Sequence, residues 1–567
     1  MAFIVRKKIS GRDYYYLNKT KRVEGKVVSK CLAYLGKDRE EAEKKAKQII
    51  ENLPLLSENK KNFEKMKKEN TEKNIKEEIS IEELASFCKR KGFVYPSAEV
   101  YGGLAGFWDF GHLGVELKNN IKNQWWDFHV RQREDVVGID GSIITNPKVW
   151  EASGHVASFV DVAVVCKKCK NKTKIDKHEV GKISCEKCGG EFENKGEFNP
   201  MFTTNVGPVK GDSVTSYLRP ETAQLIFTNF KLVQDNARLK LPFGIAQIGK
   251  AFRNEISPRD FLFRCREFEQ MEIEYFVDPD EKLSYKIGNS EILIYSEELQ
   301  RQNKEPVKMK FKDAYEKGII KTDWHAYWLE QEFLWFVSLG ANPDNFRIRQ
   351  HISEEKSHYA LDTWDLEYHF PFGWKELQGI ANRTDYDLKQ HQKYSKVKME
   401  IVKDDGKRLI PHVICEPSQG VERAFLVFMF DAFFKDEKKE NIILKLHPKL
   451  APIKSAVFPL VKNKEELVKL SMKIYRGLKK EFNVVYDESG SVGRRYARQD
   501  EIGTPYCITV DGDSVKNKDA TIRDRDTARQ IRVKILNLKN ILGKLINNEI
   551  KFEKAGKPFI NFPEGKN

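Results

Sequence analysis

At 567 residues, with 40% hydrophobic and 32% charged side chains, the chain is too long for one core and has a folded protein's composition, which excludes single-domain, disordered and fibrous architectures. Lys and Arg number 99 against 84 Asp and Glu, so the net charge of +15 favours a polyanionic partner. The greasiest run, residues 424–434, is broken by Asp431, and residues 1–10 carry charges where a signal peptide has an apolar segment, so no membrane partner and a cytoplasmic location are expected.

From residue 3 to 36 short β-prone stretches alternate with turn residues: Phe3, Val5 and Ile9, then 14–17, then 27–35 ending at Gly36. This spacing predicts a small sheet. Residues 1–50 hold 14 basic and 6 acidic side chains, so they contribute +8, more than half of the excess. Such a basic arm meets either nucleic acid or water alone. A helix is expected over 40–53 and completes a first unit, 1–56. A charged linker follows over 57–81, where lysine and glutamate dominate.

Residues 82–445 mix helices and strands and form the large core. Within it, Cys166 and Cys169 precede Cys185 and Cys188, two chelating turns 15 residues apart. Four thiolates at this spacing suit a tetrahedral, structural Zn2+, with unmetallated thiols or two disulfides as the other reading. The other five cysteines, Cys31, Cys88, Cys265, Cys415 and Cys507, stand alone, which argues against a disulfide framework.

Residues 245–277 read as an antiparallel hairpin turning at the ISPRD segment, 256–260. In its second strand Met271, Ile273, Tyr275 and Val277 form an apolar face, while Arg264, Arg266, Phe268, Gln270, Glu272 and Glu274 take the opposite one. That polar face either meets water or holds a phosphate, a base and an ammonium group together. Downstream, Val413–Cys415 suits a short strand, Gly420 permits a turn, and a helix too apolar for the surface starts at Val421. Arg423 thereby falls in the first turn of a buried helix, where free N–H groups, the dipole and a guanidinium suit a polyphosphate.

After His447 and Pro448 a strand (456–461), a helix (464–482), a strand (484–487), a Gly-rich turn and a strand (506–510) imply a compact α/β domain over 446–567. Gly490 to Gly493 lacks the spacing of a phosphate loop and reads as a helix-starting turn. Arg494, Arg495 and Arg498 meet RNA phosphates or form a solvated helix face. A final helix is expected to carry Ile531, Ile535, Leu538, Leu542 and Leu545.

The stretch FRNEISPRDFLFRCREFEQMEIEYF resembles the motif 2 hairpin of class II aminoacyl-tRNA synthetases, and EPSQGVERAF resembles their motif 3. Together, YLRPETAQ, FEQME, WKELQGIANRTDYDL and EPSQG are similar to glycyl-tRNA synthetases in particular, over about residues 85 to 535. This resemblance implies an α/β and α+β multidomain enzyme: an antiparallel-sheet catalytic core over 82–445, a zinc-ribbon-like insertion at 163–195 and an anticodon-binding domain over 446–567. It implies a homodimer that activates glycine with ATP and Mg2+ and transfers it to tRNA(Gly). By the same resemblance Arg253, Glu255 and Arg423 are catalytic. Arg253 would hold the α-phosphate beside Asn254 and Glu255, and Phe268 would stack on adenine with Phe263, Arg264 and Arg266 nearby. Arg423 would take the γ-phosphate beside Gly420, with Glu376 and Leu377 in the ATP and magnesium site. Glu221, Phe268, Glu269, Gln270, Met271, Glu272, Glu416, Ser418 and Gly420 would surround glycine.

Where the family has Arg-Ala-Asp-His between the cysteine pairs, this chain has Lys174, Ile175 and Asp176, then Lys177 before His178. Lys174 keeps the charge of that arginine near glycine without its planar fork. The first 80 residues lie outside the likeness. Their sheet resembles small basic arms at the start of some transposase-like proteins, and an accessory tRNA contact is expected of it. A catalytically inactive relative serving as a nucleic-acid-binding accessory would have lost phosphate arginines or pocket carboxylates, yet Arg253, Glu272, Glu376, Glu416 and Arg423 are all present. A synthetase for serine, threonine or proline is the other alternative, against which the crowding of carboxylates speaks.

Overall fold

The computed structural model describes residues 79–158, 161–175, 181–207, 213–356, 360–436 and 441–559, and the backbone of 2–9, 12–23 and 26–36. They belong to two compact units, residues 1–77 and 78–567. The helix expected over 40–53 and the linker as far as residue 78 lie outside the described residues.

In the first unit β1 (Ala2–Ile9), β2 (Arg12–Val23) and β3 (Lys26–Gly36) form an antiparallel meander in the order β1-β2-β3. The small sheet expected from the spacing is present. Val5 pairs with Tyr16 and Lys19 with Lys30.

The second unit opens with α1 (Ile81–Lys91), whose first turn is closed by a reciprocal cap between Ser80 and Glu83 and whose last meets Gly92 at φ 82°. Helix α2 (His112–Trp126) and strand β4 (Val136–Ile139) follow. The cysteine-bearing insertion holds β5 (Asp161–Cys166), β6 (Lys172–Ile175) and β7 (Phe192–Phe198), ordered β7-β5-β6. After α3 (Ala223–Ala237) come β8 (Phe243–Phe252), β9 (Glu267–Val277), β10 (Glu291–Tyr295), β11 (Val307–Lys310), the helix α4 (Asp323–Ser338), β12 (Phe346–Gln350), β13 (Asp362–Phe370), β14 (Gly373–Asn382), β15 (His412–Gly420) and α5 (Val421–Ala432).

Among the described residues nine strands make one sheet, ordered β11-β10-β12-β13-β14-β15-β9-β8-β4. Its long central strands are antiparallel, as expected for the core. On one face Met271, Ile273 and Tyr275 of β9 pack with α4 and α5 in the main hydrophobic core. Aromatic rings dominate that layer: Trp335 of α4 meets Phe428 of α5 edge-on at 5.7 Å. On the opposite face Phe276 of β9 and Val413 of β15 pack with α3 in a second hydrophobic cluster, and beyond it the sheet presents Gln270, Glu272, Glu376, Glu416 and Ser418.

The hairpin differs from expectation in its turn. β8 ends at Phe252 and β9 begins at Glu267, so Arg264 and Arg266 lie in the connection, beyond a short helical turn at Phe261–Phe263, and not in the strand. Asp260 and Phe261 adopt positive φ there, which breaks the alternation. Strand β15 is longer than the Val413–Cys415 stretch because it runs on through Pro417, a residue that normally argues against a central strand.

The C-terminal part alternates β16 (Ser455–Pro459), α6 (Glu465–Leu478), β17 (Val484–Tyr486), α7 (Val492–Ile502), β18 (Tyr506–Val510), β19 (Asp519–Asp524), β20 (Gln530–Lys534), α8 (Leu538–Ile546) and β21 (Lys557–Phe559). One mixed sheet, β17-β16-β18-β19-β20-β21, runs through it. Ser491 caps α7, which makes the Gly490 to Gly493 turn a helix start. Ile531 is not helical: with Val533 it fills the buried positions of β20, an alternation hidden by its coincidental four-residue step to Ile535. No helix among the described residues is long and apolar enough to cross a membrane.

Candidate active site

A cleft of about 610 Å³ opens on the polar face of the sheet. It brings together Glu221, Arg253, Glu255, Phe263, Arg264, Phe268, Gln270, Glu272, Glu376, Leu377, Glu416, Ser418, Gly420 and Arg423 of the expected site residues. The alternation of β9 places Gln270 and Glu272 here. Antiparallel pairing sets Glu272 opposite Ser418 of β15 and Gly379 of β14 opposite Ser418 from the other side.

One charge cluster is built on α5. The guanidinium of Arg423 lies 3.1 Å from the Glu376 carboxylate, donates to the Glu376 backbone oxygen at 2.9 Å, and stacks 4.7 Å from the Phe263 ring centre. Arg423 first, against some burial, holds Glu376 below the usual carboxylate range. Glu376 is half-exposed and offers hard oxygen donors of the kind magnesium takes.

The second cluster is carboxylate-rich. One oxygen each of Glu272, Glu274 and Glu416 lies within 4.8 Å of the others, all buried. Arg383 is clamped by Asp387 through two hydrogen bonds of 2.7 and 2.9 Å and donates to Glu416 at 2.7 Å. Thr222 donates its hydroxyl to Glu272, and Gln270 donates to Ser418 at 3.1 Å. Burial, reinforced by Glu272 and Glu221 and opposed by Arg383, pushes Glu416 up to about 8. Glu272 is raised by burial and by Glu221. Neither oxygen of Glu274 has a hydrogen-bond partner among the described residues, and burial raises this carboxyl far above its ordinary range. Glu221 behaves oppositely: burial would raise it, but His155 at 3.3 Å, Arg383 and Arg253 outweigh that and keep it ionised. Arg253 donates to the Pro220 oxygen at 3.0 Å and lies 5.5 Å from the Phe268 ring. It acts on both Glu221 and Glu376, which places it between the clusters.

Five expected residues are not among those lining the cleft. Arg266 staples the connection, donating to the backbone oxygens of Glu255 and Ala105 at 2.7 to 3.0 Å. Asn254 is held by its backbone to Pro200. Met271 and Glu269 take the other face of β9: Met271 is in the core, and Glu269 pairs with Lys122 at 3.0 Å and Lys118 at 3.6 Å. Lys118 of α2 also binds Glu422, the neighbour of Arg423, at 2.7 Å. Lys174 pairs through its backbone with Ala163, and its side chain lies outside the described residues.

Arg383, His155, His351 and Asp365 also line the cleft and were not singled out from sequence. Arg383 lies ahead of the helical stretch Tyr386–Ser395 that carries Asp387, so even this four-residue pair is not a helical one. No local pattern shows that it reaches Glu416, or that His155 meets Glu221 from 66 positions away.

In the insertion, Cys166, Cys169, Cys185 and Cys188 converge with sulfurs within 4.8 Å of one another. Sulfur pairs at 3.5 and 3.6 Å, with no disulfide among the described cysteines, match the donor set of a tetrahedral metal.

Residues 209–431 match the tRNA synthetase class II core domain (G, H, P, S and T), and residues 454–545 match an anticodon binding domain. A glycine–tRNA ligase of Borrelia hermsii is 45% identical over 469 residues, covering 81% of this chain and 96% of the relative. One from Geobacillus kaustophilus is 44% identical over 499 residues, covering 82% and 99%. A third, from Caldanaerobacter subterraneus subsp. tengcongensis, is 44% identical over 504 residues, covering 84% and 99%.

Proposed function

The chain belongs to the glycine–tRNA ligases of class II, and on that premise we propose how its cleft activates glycine with ATP and passes it to the 3′ end of tRNA(Gly). The observation that carries the assignment of roles is the pairing of an arginine cluster with a buried carboxylate cluster in one cleft, with Arg253 between them. The glycine carboxylate attacks the α-phosphorus and pyrophosphate leaves, so no strong base is needed. Rate comes from alignment and from neutralising charge. Arg253 and Glu255 serve at the α-phosphate, Phe268 and Phe263 flank the adenine, and Arg423 takes the γ-phosphate. Glu376 would hold magnesium, which would supply charge neutralisation for the leaving pyrophosphate.

At the other cluster Glu221, Glu272 and Glu416 receive the ammonium group, with Ser418 and Gln270 beside them. An apolar pocket separates one methylene by only about 1 to 3 kcal/mol, so alanine is rejected by crowding at the α-carbon. Residues 82–445 are the catalytic domain, 163–195 a zinc-stabilised insertion, and 446–567 the part that reads the anticodon. A second copy would cover Val100, Tyr101 and Leu104, which are 89%, 90% and 60% exposed, and the enzyme works as a homodimer. Pyrophosphate exchange with a panel of amino acids tests the reading: it requires glycine, with charging of tRNA(Gly). Exchange driven by serine, threonine, proline or alanine, or by none, overturns it.

A further inference from the structure

The N-terminal sheet divides its charges unequally between its two faces. Residues directly opposite in an antiparallel pair share a face, so the register sorts the paired positions, with Leu32 and Leu35 left out at two shifts between β2 and β3. The odd-numbered positions of β2 and their partners carry six cations, Arg6, Lys8, Lys19, Lys21, Lys26 and Lys30, with one acid, Asp13, interleaved with Ala2, Ile4, Tyr15, Leu17, Val23, Val28 and Ala33. On the other face Lys7, Arg12 and Arg22 stand among a mostly aromatic and aliphatic set that includes Phe3, Val5, Tyr14, Tyr16 and Tyr34.

We propose that the lysine-rich face is a docking surface for the phosphate backbone of tRNA. Like charges directly opposite across strands weaken a sheet, and Lys19 stands opposite Lys30; a bound polyanion relieves that repulsion. The cationic positions extend from the level of Asp13 to that of Val23 on β2, a run of about 33 Å at strand rise. A single phosphate or a nucleotide meets only a fraction of such a stripe, whereas an RNA backbone follows it. Contacts to phosphates add affinity without reading sequence, so this face strengthens binding and leaves tRNA choice to other parts of the chain. The identity of the polyanion rests on the ligase reading, since tRNA is the nucleic acid that reading supplies.

The test uses the full chain. One variant replaces Arg6, Lys8, Lys19, Lys21, Lys26 and Lys30 with Gln, and a second replaces Lys7, Arg12 and Arg22. Affinity for a tRNA(Gly) transcript is measured between 50 and 200 mM salt, a span over which phosphate contacts change affinity by roughly 10³ or more when several are made. In the first variant affinity falls at least about tenfold and the slope of log affinity against log salt flattens by about one per lost contact, while glycine-dependent exchange is unchanged. The second variant binds like the parent. A double variant, Lys19→Gln with Lys30→Gln, keeps or raises the melting temperature yet weakens tRNA binding, which separates loss of contact from loss of fold. Unchanged affinity and slope in the first variant, equal losses in the second, or tighter binding of the parent to duplex DNA than to tRNA overturns the proposal. Absence of glycine-dependent exchange in the parent chain would instead strike the ligase reading.

Discussion

Glu416 lies at the meeting point of burial and like charge, so under the proposed assignment the glycine ammonium group and a proton compete for it. Its carboxyl is pushed up to about 8, so it is mostly protonated at neutral pH until a cation arrives. The KM for glycine should therefore rise as pH falls below about 8, by up to about tenfold per pH unit, while the KM for ATP stays flat. Glu416→Gln should abolish that dependence and raise the glycine KM throughout; a parallel profile in the variant would refute the assignment. Arg423→Ala should lower kcat/KM for ATP by about 10² to 10³, with only partial recovery in Arg423→Lys, because an ammonium lacks the planar fork. At this scale Arg253 was reached through the family resemblance, while the sequence was informative where a residue type and a local pattern coincide, as at Glu272 and Arg423. It was silent on Arg383 and His155, whose partners are distant in the chain and are brought near only by pairing of β14 with β15 and by the loop ahead of α3.

Strand β9 shows how far alternation alone can be read. Its even positions Phe268, Gln270 and Glu272 face the cleft as the pattern required, yet the block of motif residues around Met271 and Glu269 is split between two faces of the sheet. Met271→Ala should cost about 2 to 5 kcal/mol of stability with little effect on the glycine KM, measured by denaturant titration beside pyrophosphate exchange. A large KM change at unchanged stability would return Met271 to the pocket. The insertion is legible for a different reason: two-residue cysteine spacing is a property of the turns themselves. The purified chain should carry about one zinc, and Cys185→Ser should lose it, by elemental analysis, because three thiolates leave the tetrahedron open. Among the C-terminal arginines, sequence could not separate solvent from interior. Arg495 is 2% exposed and donates to the backbone oxygens of Pro459 and Leu460, so it is structural, and Arg498 pairs with Asp487. The strand carrying Ile531 was misread because periods of two and four coincide there.

For the whole molecule, the division at residues 77 and 78 implies that the first unit can be removed without dismantling the second. A chain starting at residue 78 should keep glycine-dependent exchange within about twofold, since the described hydrophobic cores lie wholly within the second unit; collapse of exchange would refute this. The overall architecture was legible because strand and helix periods are strong in the central and C-terminal parts, while the packing of those parts on one another was not. That packing depends on α2, whose Lys118 grips Glu422 at 2.7 Å while Asn120 donates to the carbonyls of Leu450 and Ala451, both at 3.1 Å. One rigid rod is thus bolted at one position to the Arg423 end of the cleft and two positions later to the entrance of the C-terminal domain. It works as a ruler between them, and its graduations are fixed: a residue inserted between 118 and 120 would swing the second bolt by about 100° and advance it about 1.5 Å, leaving both halves whole but out of alignment.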